Sequence, residues 1–297
     1  MTLREKISAG KFVVCGEMEP PKSCDAETIK KKSAYFKGYV DAVNITDNQT
    51  AVVRLSSLAS AKILLDEGLE PIMQITCRDR NRLAIQSDLL GAAALGIRNV
   101  LCLTGDHQRF GDQPEAKGVF DLDSIQLIAT VTNMNNGYLL SGQELKKATD
   151  FFIGGAANPS GTTFEMQLIR LYKKVKAGVH FIQTQPVFDL ERFNKWMEKV
   201  KEMRLHEQCA IIAGVMPVKS VNALLYMKNE VPGMRISNEY IERMSKATDP
   251  KEEGIKIAIE IIQTLKTING IKGIHLMPVM WESITPTIIE QSGLAKR

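Results

Sequence analysis

The sequence predicts an α/β fold, a single (β/α)8 TIM barrel that spans residues 1–297 as one domain. Eight short apolar runs rich in β-branched residues are each followed by a longer amphipathic stretch. Such alternation is typical of parallel βαβ units, and eight units close economically into a barrel. No G-x-G-x-x-G motif follows any of these strands, which argues against an open dinucleotide-binding sheet.

Each predicted strand is bounded by Gly, Pro, Asn or Asp, and each predicted helix has apolar residues at helical spacing. No linker or low-complexity stretch interrupts the series. The strands are predicted at 11–18, 39–46, 70–77, 98–105, 150–156, 179–184, 209–216 and 273–279. The helices are predicted at 25–36, 52–67, 80–96, 123–136, 162–178, 190–203, 220–229, 239–246, 251–268 and 283–291.

Composition excludes several classes of protein. The formal net charge of +4 is small beside 38 basic and 34 acidic residues, and the basic residues are not interleaved with aromatic ones, so we expect no nucleic-acid partner. Five cysteines without a C-x-x-C pair indicate neither a zinc site nor a disulfide framework and fit a reducing compartment. No apolar run approaches the ~18 residues that a membrane span needs, and no signal peptide is evident, so we expect a cytoplasmic protein.

The barrel prediction indicates where a site would lie, because barrel active sites form at the carboxyl ends of the strands. The predicted strand ends are polar and poor in histidine. Neither H-E-x-x-H nor G-x-S-x-G occurs, so we predict no metal site and no Ser-His-Asp chemistry. The side chains at the predicted strand ends instead favour carboxylate and amide chemistry around an organic ligand.

Two carboxylates mark the end of the first strand, in CGEMEPPKSC. Strand alternation and the following prolines predict that Glu17 faces the inside of the barrel and that Glu19 lies in the loop. Glu17 could be a salt-bridged rim carboxylate; alternatively, a carboxyl group in a partly apolar pocket can stay protonated and act as a general acid. Asp106, in LTGD, could be a turn residue or a buried anion beside a redox ring.

Considered together, the motifs are more specific. GEMEPP (16–21), LTGD (103–106), GGAANP (154–159), LYKKVKAGVHFIQTQPVFD (171–189) and AGVMPV (213–218) resemble the methylenetetrahydrofolate reductase family in order and spacing. The likeness extends from Phe12 to about Leu294. It implies a flavin-binding barrel that reduces 5,10-methylenetetrahydrofolate to 5-methyltetrahydrofolate.

The resemblance also implies roles for single residues. Glu17 matches the glutamate that protonates N10 of the folate, Asp106 the aspartate near the pterin and flavin, and Gln185 the glutamine that contacts the folate. Val221 stands where the family has an aromatic residue that stacks on nicotinamide. The positions implied to contact the flavin are Asn44, Thr46, Gln74, Thr104, Gly105, Asp106, His107, Gly155, Ala156, Asn158, Gln167 and Lys174.

Departures from the family pattern point to a divergent form. Asn158 and Gln167 replace a histidine and an aspartate of the family, and Trp281 stands in a segment that usually contains an arginine. The form resembles the reductase subunit of acetogenic, anaerobic bacteria, which works beside a small iron–sulfur and zinc companion subunit. The resemblance leaves open whether the flavin is FMN or FAD, whether NAD(P)H binds directly, and whether the chain forms a homo-oligomer. A flavin-free pterin-binding methyltransferase barrel and a non-catalytic scaffold are the alternatives.

Overall fold

Eight parallel strands close on themselves in chain order in the computed structural model, which describes residues 1–231 and 233–294. Each strand pairs with the next, and β8 pairs with β1, so the predicted TIM barrel is confirmed. The predicted domain also includes residues 232 and 295–297, which lie outside the described residues. The strands are β1 (Val13–Met18), β2 (Ala42–Ile45), β3 (Pro71–Thr76), β4 (Asn99–Leu103), β5 (Phe152–Ala157), β6 (Phe181–Pro186), β7 (Ala210–Val215) and β8 (Ile271–Leu276).

The helices surround the barrel, and side-chain caps set where many of them begin. Asn81 and Asp123 accept hydrogen bonds from backbone N–H groups of the first helical turn, which would otherwise be unpaired. The helices are α1 (Leu3–Ser8), α2 (Ala26–Ser33), α3 (Ser57–Asp66), α4 (Arg82–Ala94), α5 (Ser124–Asn135), α6 (Phe164–Lys176), α7 (Leu190–Glu202), α8 (Val221–Glu230), α9 (Asn238–Lys246), α10 (Pro250–Thr267) and α11 (Thr285–Gln291).

Two local differences from the sequence prediction have clear causes. The helix predicted to begin at residue 52 begins instead at Ser57, because the Ser56 side chain accepts from the Ala59 backbone N–H and caps the helix there. No element was predicted before residue 11, yet α1 forms with a capping box between Thr2 and Glu5. Its Leu3 side chain is fully buried against the residues that fill the barrel interior.

The barrel interior is apolar at the amino ends of the strands and polar at their carboxyl ends. Phe152, Phe181 and Ile212 belong to an inner apolar cluster that is separate from the larger core between strands and helices. Gly154 makes room for the Phe181 ring, since a Cβ at Gly154 would lie 2.3 Å from it. Side chains therefore fill the floor of the barrel, and the space for a ligand lies above this floor, at the carboxyl ends.

Candidate active site

A cavity of about 280 Å³ opens at the carboxyl ends of the strands. Its lining combines carboxylate, amide, hydroxyl and guanidinium groups with a few apolar side chains, which suits a polar aromatic ligand. The sequence-predicted site residues that line it are Glu17, Gln74, Thr104, Gly105, Asp106, Ala156 and Gln185.

Glu17 faces this cavity from β1, in the orientation that strand alternation predicts. Its side chain is only 10 % exposed. Gln74 on β3 donates an N–H to Glu17 Oε2 over 3.3 Å, and His275 Nε2 on β8 lies 3.3 Å from the same oxygen. Three strands thus bring a carboxyl, an amide and an imidazole together, although His275 Nε2 makes no hydrogen bond to the carboxyl.

Glu19 has a different environment, beyond the end of β1. Arg54 pairs with it at 2.5 Å and also donates to the Pro20 carbonyl, so the two residues join the β1 loop to the segment after β2. Burial raises the pKa of Glu19, and the negative Glu282 adds to the rise, while Arg54 opposes it. These contacts give Glu19 a structural role beside the cavity.

Asp106 follows a glycine whose backbone no other residue adopts easily. Gly105 has φ +93°, and a Cβ there would lie 3.0 Å from Arg78 Cβ and 3.1 Å from Thr76 Cβ. Asp106 lines the cavity and is exposed, so it is not the buried anion that the sequence analysis considered. Arg78, almost fully buried, donates to the carbonyl groups of Asp106 and Asn48 and pairs with Asp79. Arg78 thereby holds the loops after β2 and β4 together.

Replacing Gly105 with alanine is expected to cost about 1–2 kcal/mol in the free energy of unfolding through the positive φ, with an added cost from the close contacts. Gly10→Ala is the matched control, because Gly10 also has a positive φ but no atom lies within 4 Å of the position that a Cβ would take there. Denaturant unfolding measures both. Equal losses in the two variants would show that the contacts with Thr76 and Arg78 contribute nothing.

A second cavity, of about 160 Å³, adjoins the first and shares Ala156 and Gln185 with it. Asn158, Gln167, Arg170 and Lys174 complete its polar lining, and none of the described residues that line it is a carboxylate. The Lys174 ammonium donates to the Ala156 carbonyl, and the residue is 6 % exposed.

Burial lowers the pKa of Lys174 to about 8, and the neighbouring Arg170 contributes to the fall. The two cations stand one helical turn apart on α6, and the described lining of the cavity brings no carboxylate to face them. This arrangement favours an anionic group such as a phosphate.

Five predicted site residues line neither cavity. Asn44 and Thr46 are buried on and after β2, and the Asn44 amide donates to the Gly16 carbonyl. A Cβ at Gly155 would meet Ile128, Val179 and Ile182, so this position faces the helices. His107 is exposed and accepts from the Arg109 backbone N–H; Val221 begins α8 and packs against the core between strands and helices.

The structure adds residues to which sequence analysis assigned no role: His275, Gln183, Arg78 and Arg170. The first three line the larger cavity, and the fourth lines the smaller one. Strand alternation was the signal that could have identified Gln183, because Phe181, Gln183 and Gln185 alternate toward the inside of the barrel. For Arg170 the signal was its spacing of four residues from Lys174 on a helix.

Residues 1–231 and 233–294 contain neither a metal-binding cluster nor a membrane-spanning helix. No group of three or more His, Cys, Asp or Glu side chains stands close enough together there to hold a metal ion. In the same ranges, no helix combines the length and the apolar character of a membrane span.

Comparison with known proteins gives one family. The sequence model described as "Methylenetetrahydrofolate reductase" matches residues 2–293. Methylenetetrahydrofolate reductase 1 of Schizosaccharomyces pombe is 25 % identical over 240 residues, which cover 78 % of this chain and 37 % of that protein. The 5,10-methylenetetrahydrofolate reductase of Pectobacterium carotovorum is 24 % identical over 300 residues, covering 96 % and 91 %. The chain therefore spans little more than a third of the yeast relative's length and most of the bacterial one's.

Among solved structures, an uncharacterized protein from Clostridium thermocellum that binds two copies of 5-methyl-5,6,7,8-tetrahydrofolic acid superposes with a TM-score of 0.68. Its sequence is 16 % identical, and the match covers 98 % of this chain and 95 % of that one. At this identity the likeness supports the barrel fold alone.

Proposed function

Because the chain belongs to the methylenetetrahydrofolate reductase family, we propose that it reduces 5,10-methylenetetrahydrofolate to 5-methyltetrahydrofolate with a bound flavin. The observation that carries the proposal is the pair of adjoining cavities. One presents the nearly buried Glu17 carboxyl beside Gln74, and the other presents Arg170 and Lys174. The Glu17 carboxyl and a site with two cations thus lie at one end of the barrel, which supports roles as the acid for the folate and as the anion site for a flavin side chain.

Glu17 is the proposed proton donor. Protonation of N10 lets the bond between N10 and the methylene carbon break, which leaves a C=N⁺ iminium at N5 of the folate. Addition of a hydride to this carbon gives the methyl group and returns N5 to neutrality. Glu17 must regain one proton in each cycle, and His275, 3.3 Å away, is the titratable neighbour placed to exchange it.

Asp106 and Gln185 are proposed to hold the folate. The Asp106 carboxylate at the cavity mouth favours the cationic iminium electrostatically. Gln185 borders both cavities and would contact the folate where the two cavities meet.

The residues present fit the phosphate end of a flavin. Reduced flavin supplies the hydride when it is bound. Gln74, Thr104, Gly105 and Ala156 would line the space for its ring, while Lys174 and the neighbouring Arg170 would hold its phosphate. Asn158 and Gln167 border the same site with amides. A cavity of about 160 Å³ with two cations suits a flavin phosphate, which FMN and FAD both carry, so we propose a bound flavin of either kind.

The proposed function is tested by isolating the protein and recording its visible spectrum. We expect flavin absorption, its loss on anaerobic reduction with dithionite, and its return when 5,10-methylenetetrahydrofolate is added, with one 5-methyltetrahydrofolate formed per flavin. A protein that binds folate but shows no flavin absorption, even after reconstitution with FMN and FAD, would favour a pterin-binding methyltransferase.

The electron donor is proposed to be a companion subunit with iron–sulfur and zinc centres, without direct reduction by NAD(P)H. The support is Val221, whose aliphatic side chain packs against the core where the family's nicotinamide-stacking aromatic residue is expected. The flavin of the isolated chain should therefore be reduced by dithionite but not at a catalytic rate by NADH or NADPH. Rapid reduction by either nucleotide would contradict this part of the proposal.

A further inference from the structure

Gln183 is a buried amide that no other part of the described chain satisfies. It lies on β6 inside the barrel, its residue is 2 % exposed, and both its Oε1 and Nε2 are buried without a hydrogen-bond partner. Over residues 1–231 and 233–294, no other side-chain amide is left with both head atoms unpaired in this way. Buried polar atoms are nearly always paired, so a partner for Gln183 is to be expected.

The barrel wall offers no such partner among the described residues. In register with Gln183 are Ala156 on β5 and Ile212 on β7, and both side chains are apolar. Phe181, two residues earlier on β6, belongs to the apolar cluster below. An apolar side chain would complete this layer without the desolvation cost of an unpaired amide.

Gln183 also lines the cavity that contains Glu17, Gln74 and Gln185. A primary amide presents a donor and an acceptor side by side. Its complement is a ring lactam, in which a C=O group stands next to an N–H group, and the amide can pair with both groups at once.

We propose that Gln183 is a ligand-binding residue that pairs with the lactam edge of a heterocycle bound in the large cavity. The inference rests on the proposed function, which supplies two such rings, the pyrimidine ring of the flavin and that of the pterin. Gln183 is distinct from Gln185, which lies two residues nearer the cavity mouth and borders both cavities.

The test removes the amide from the protein, by substitution of Gln183, and separately removes the lactam N–H from the flavin, by methylation of N3. Apoprotein is titrated with FMN and with 3-methyl-FMN, which lacks the N3 proton, and flavin-loaded protein is titrated with 5-methyltetrahydrofolate. The variants are wild type, Gln183→Met and, as a matched control, Gln208→Met at an exposed position before β7. If Gln183→Met does not fold, Gln183→Leu takes its place. Circular dichroism and thermal unfolding establish that each variant is folded.

If the flavin is the partner, Gln183→Met should weaken FMN binding about tenfold. Wild type should then bind 3-methyl-FMN about tenfold more weakly than FMN, and the variant should bind the two flavins equally. If the pterin is the partner, flavin affinities stay unchanged and 5-methyltetrahydrofolate binding weakens about tenfold. Gln208→Met should match wild type throughout.

Unchanged affinities for all three ligands in a folded Gln183→Met protein would overturn the inference while leaving the proposed function intact. A wild-type protein that binds neither flavin nor folate would instead remove the proposed function, and this inference with it. If Gln183→Met weakens the binding of FMN, 3-methyl-FMN and 5-methyltetrahydrofolate by the same factor, the role of Gln183 is purely structural. This result would also overturn the inference.

Discussion

Glu17→Gln is expected to lower the rate of 5,10-methylenetetrahydrofolate reduction by about 10²–10⁴-fold while the flavin stays bound, because general acids contribute a factor of this size. Glutamine keeps the size of the side chain and can still interact with Gln74 and His275, but it has no proton to give to N10. The loss should therefore appear in the chemical step and leave ligand affinity nearly unchanged.

The measurement is anaerobic single-turnover reoxidation of the reduced flavin by 5,10-methylenetetrahydrofolate, followed in the visible spectrum. Equilibrium titration with 5-methyltetrahydrofolate shows whether the folate still binds. Glu27→Gln is the control, since Glu27 is an exposed glutamate on α2 that pairs only with Lys30 among the described ion pairs. A Glu17→Gln protein that turns over at the wild-type rate would exclude Glu17 as the proton donor.

Lys174→Met should have the second large effect, on the affinity for FMN. A charge-assisted hydrogen bond contributes about 1.5–3 kcal/mol, so the loss should be roughly ten- to hundredfold. Riboflavin, which has no phosphate, should bind the variant and the wild type equally well. Fluorescence titration of the apoprotein measures both flavins, and Lys173→Met, an exposed lysine beside it on α6, is the matched control.

The pH dependence follows from the sign of the Lys174 shift. Burial holds the pKa of Lys174 at about 8, so the free protein loses this charge as the pH rises above about 8. Wild-type affinity for FMN should fall over this range, whereas affinity for riboflavin and the affinity of Lys174→Met for FMN should stay level. An FMN affinity that is level from about pH 7 to 9 in wild type would show that Lys174 does not bind the phosphate.

The lowered pKa of Lys174 has the opposite effect on the stability of the flavin-free protein: FMN affinity falls as the pH rises, whereas stability increases. Between about 8 and 10.5, the ordinary value, the unfolded chain binds more protons than the folded one. The free energy of unfolding should therefore increase with pH over this interval. A bound phosphate reduces this difference in proton binding between the folded and unfolded chain, because it favours the charged form of Lys174 in the folded state.

The eight strands of the barrel were predictable because the apolar pattern that marks each of them is local. Runs such as PIMQIT and AIIAGV are largely apolar and stand between amphipathic helices, which is sufficient to identify strands buried on both faces. The inward orientation of Glu17 followed from alternation along one strand. Helix α1 was missed because its six residues are too few to show a helical period; it is stabilised by its capping box and by burial of Leu3 in the barrel floor.

The features of the candidate site also divide into those that one segment of sequence determines and those that depend on tertiary contacts. The sequence by itself determined the barrel, the family resemblance and the side chains at the strand ends, because these depend on residue type and on spacing along one element. Only the tertiary structure placed His275 beside Glu17, set Arg170 and Lys174 along one cavity and left the Gln183 amide unpaired. These features depend on which side chains meet across strands far apart in the chain, and on the shape of the space between them, and neither is encoded in the periodicity of a single segment.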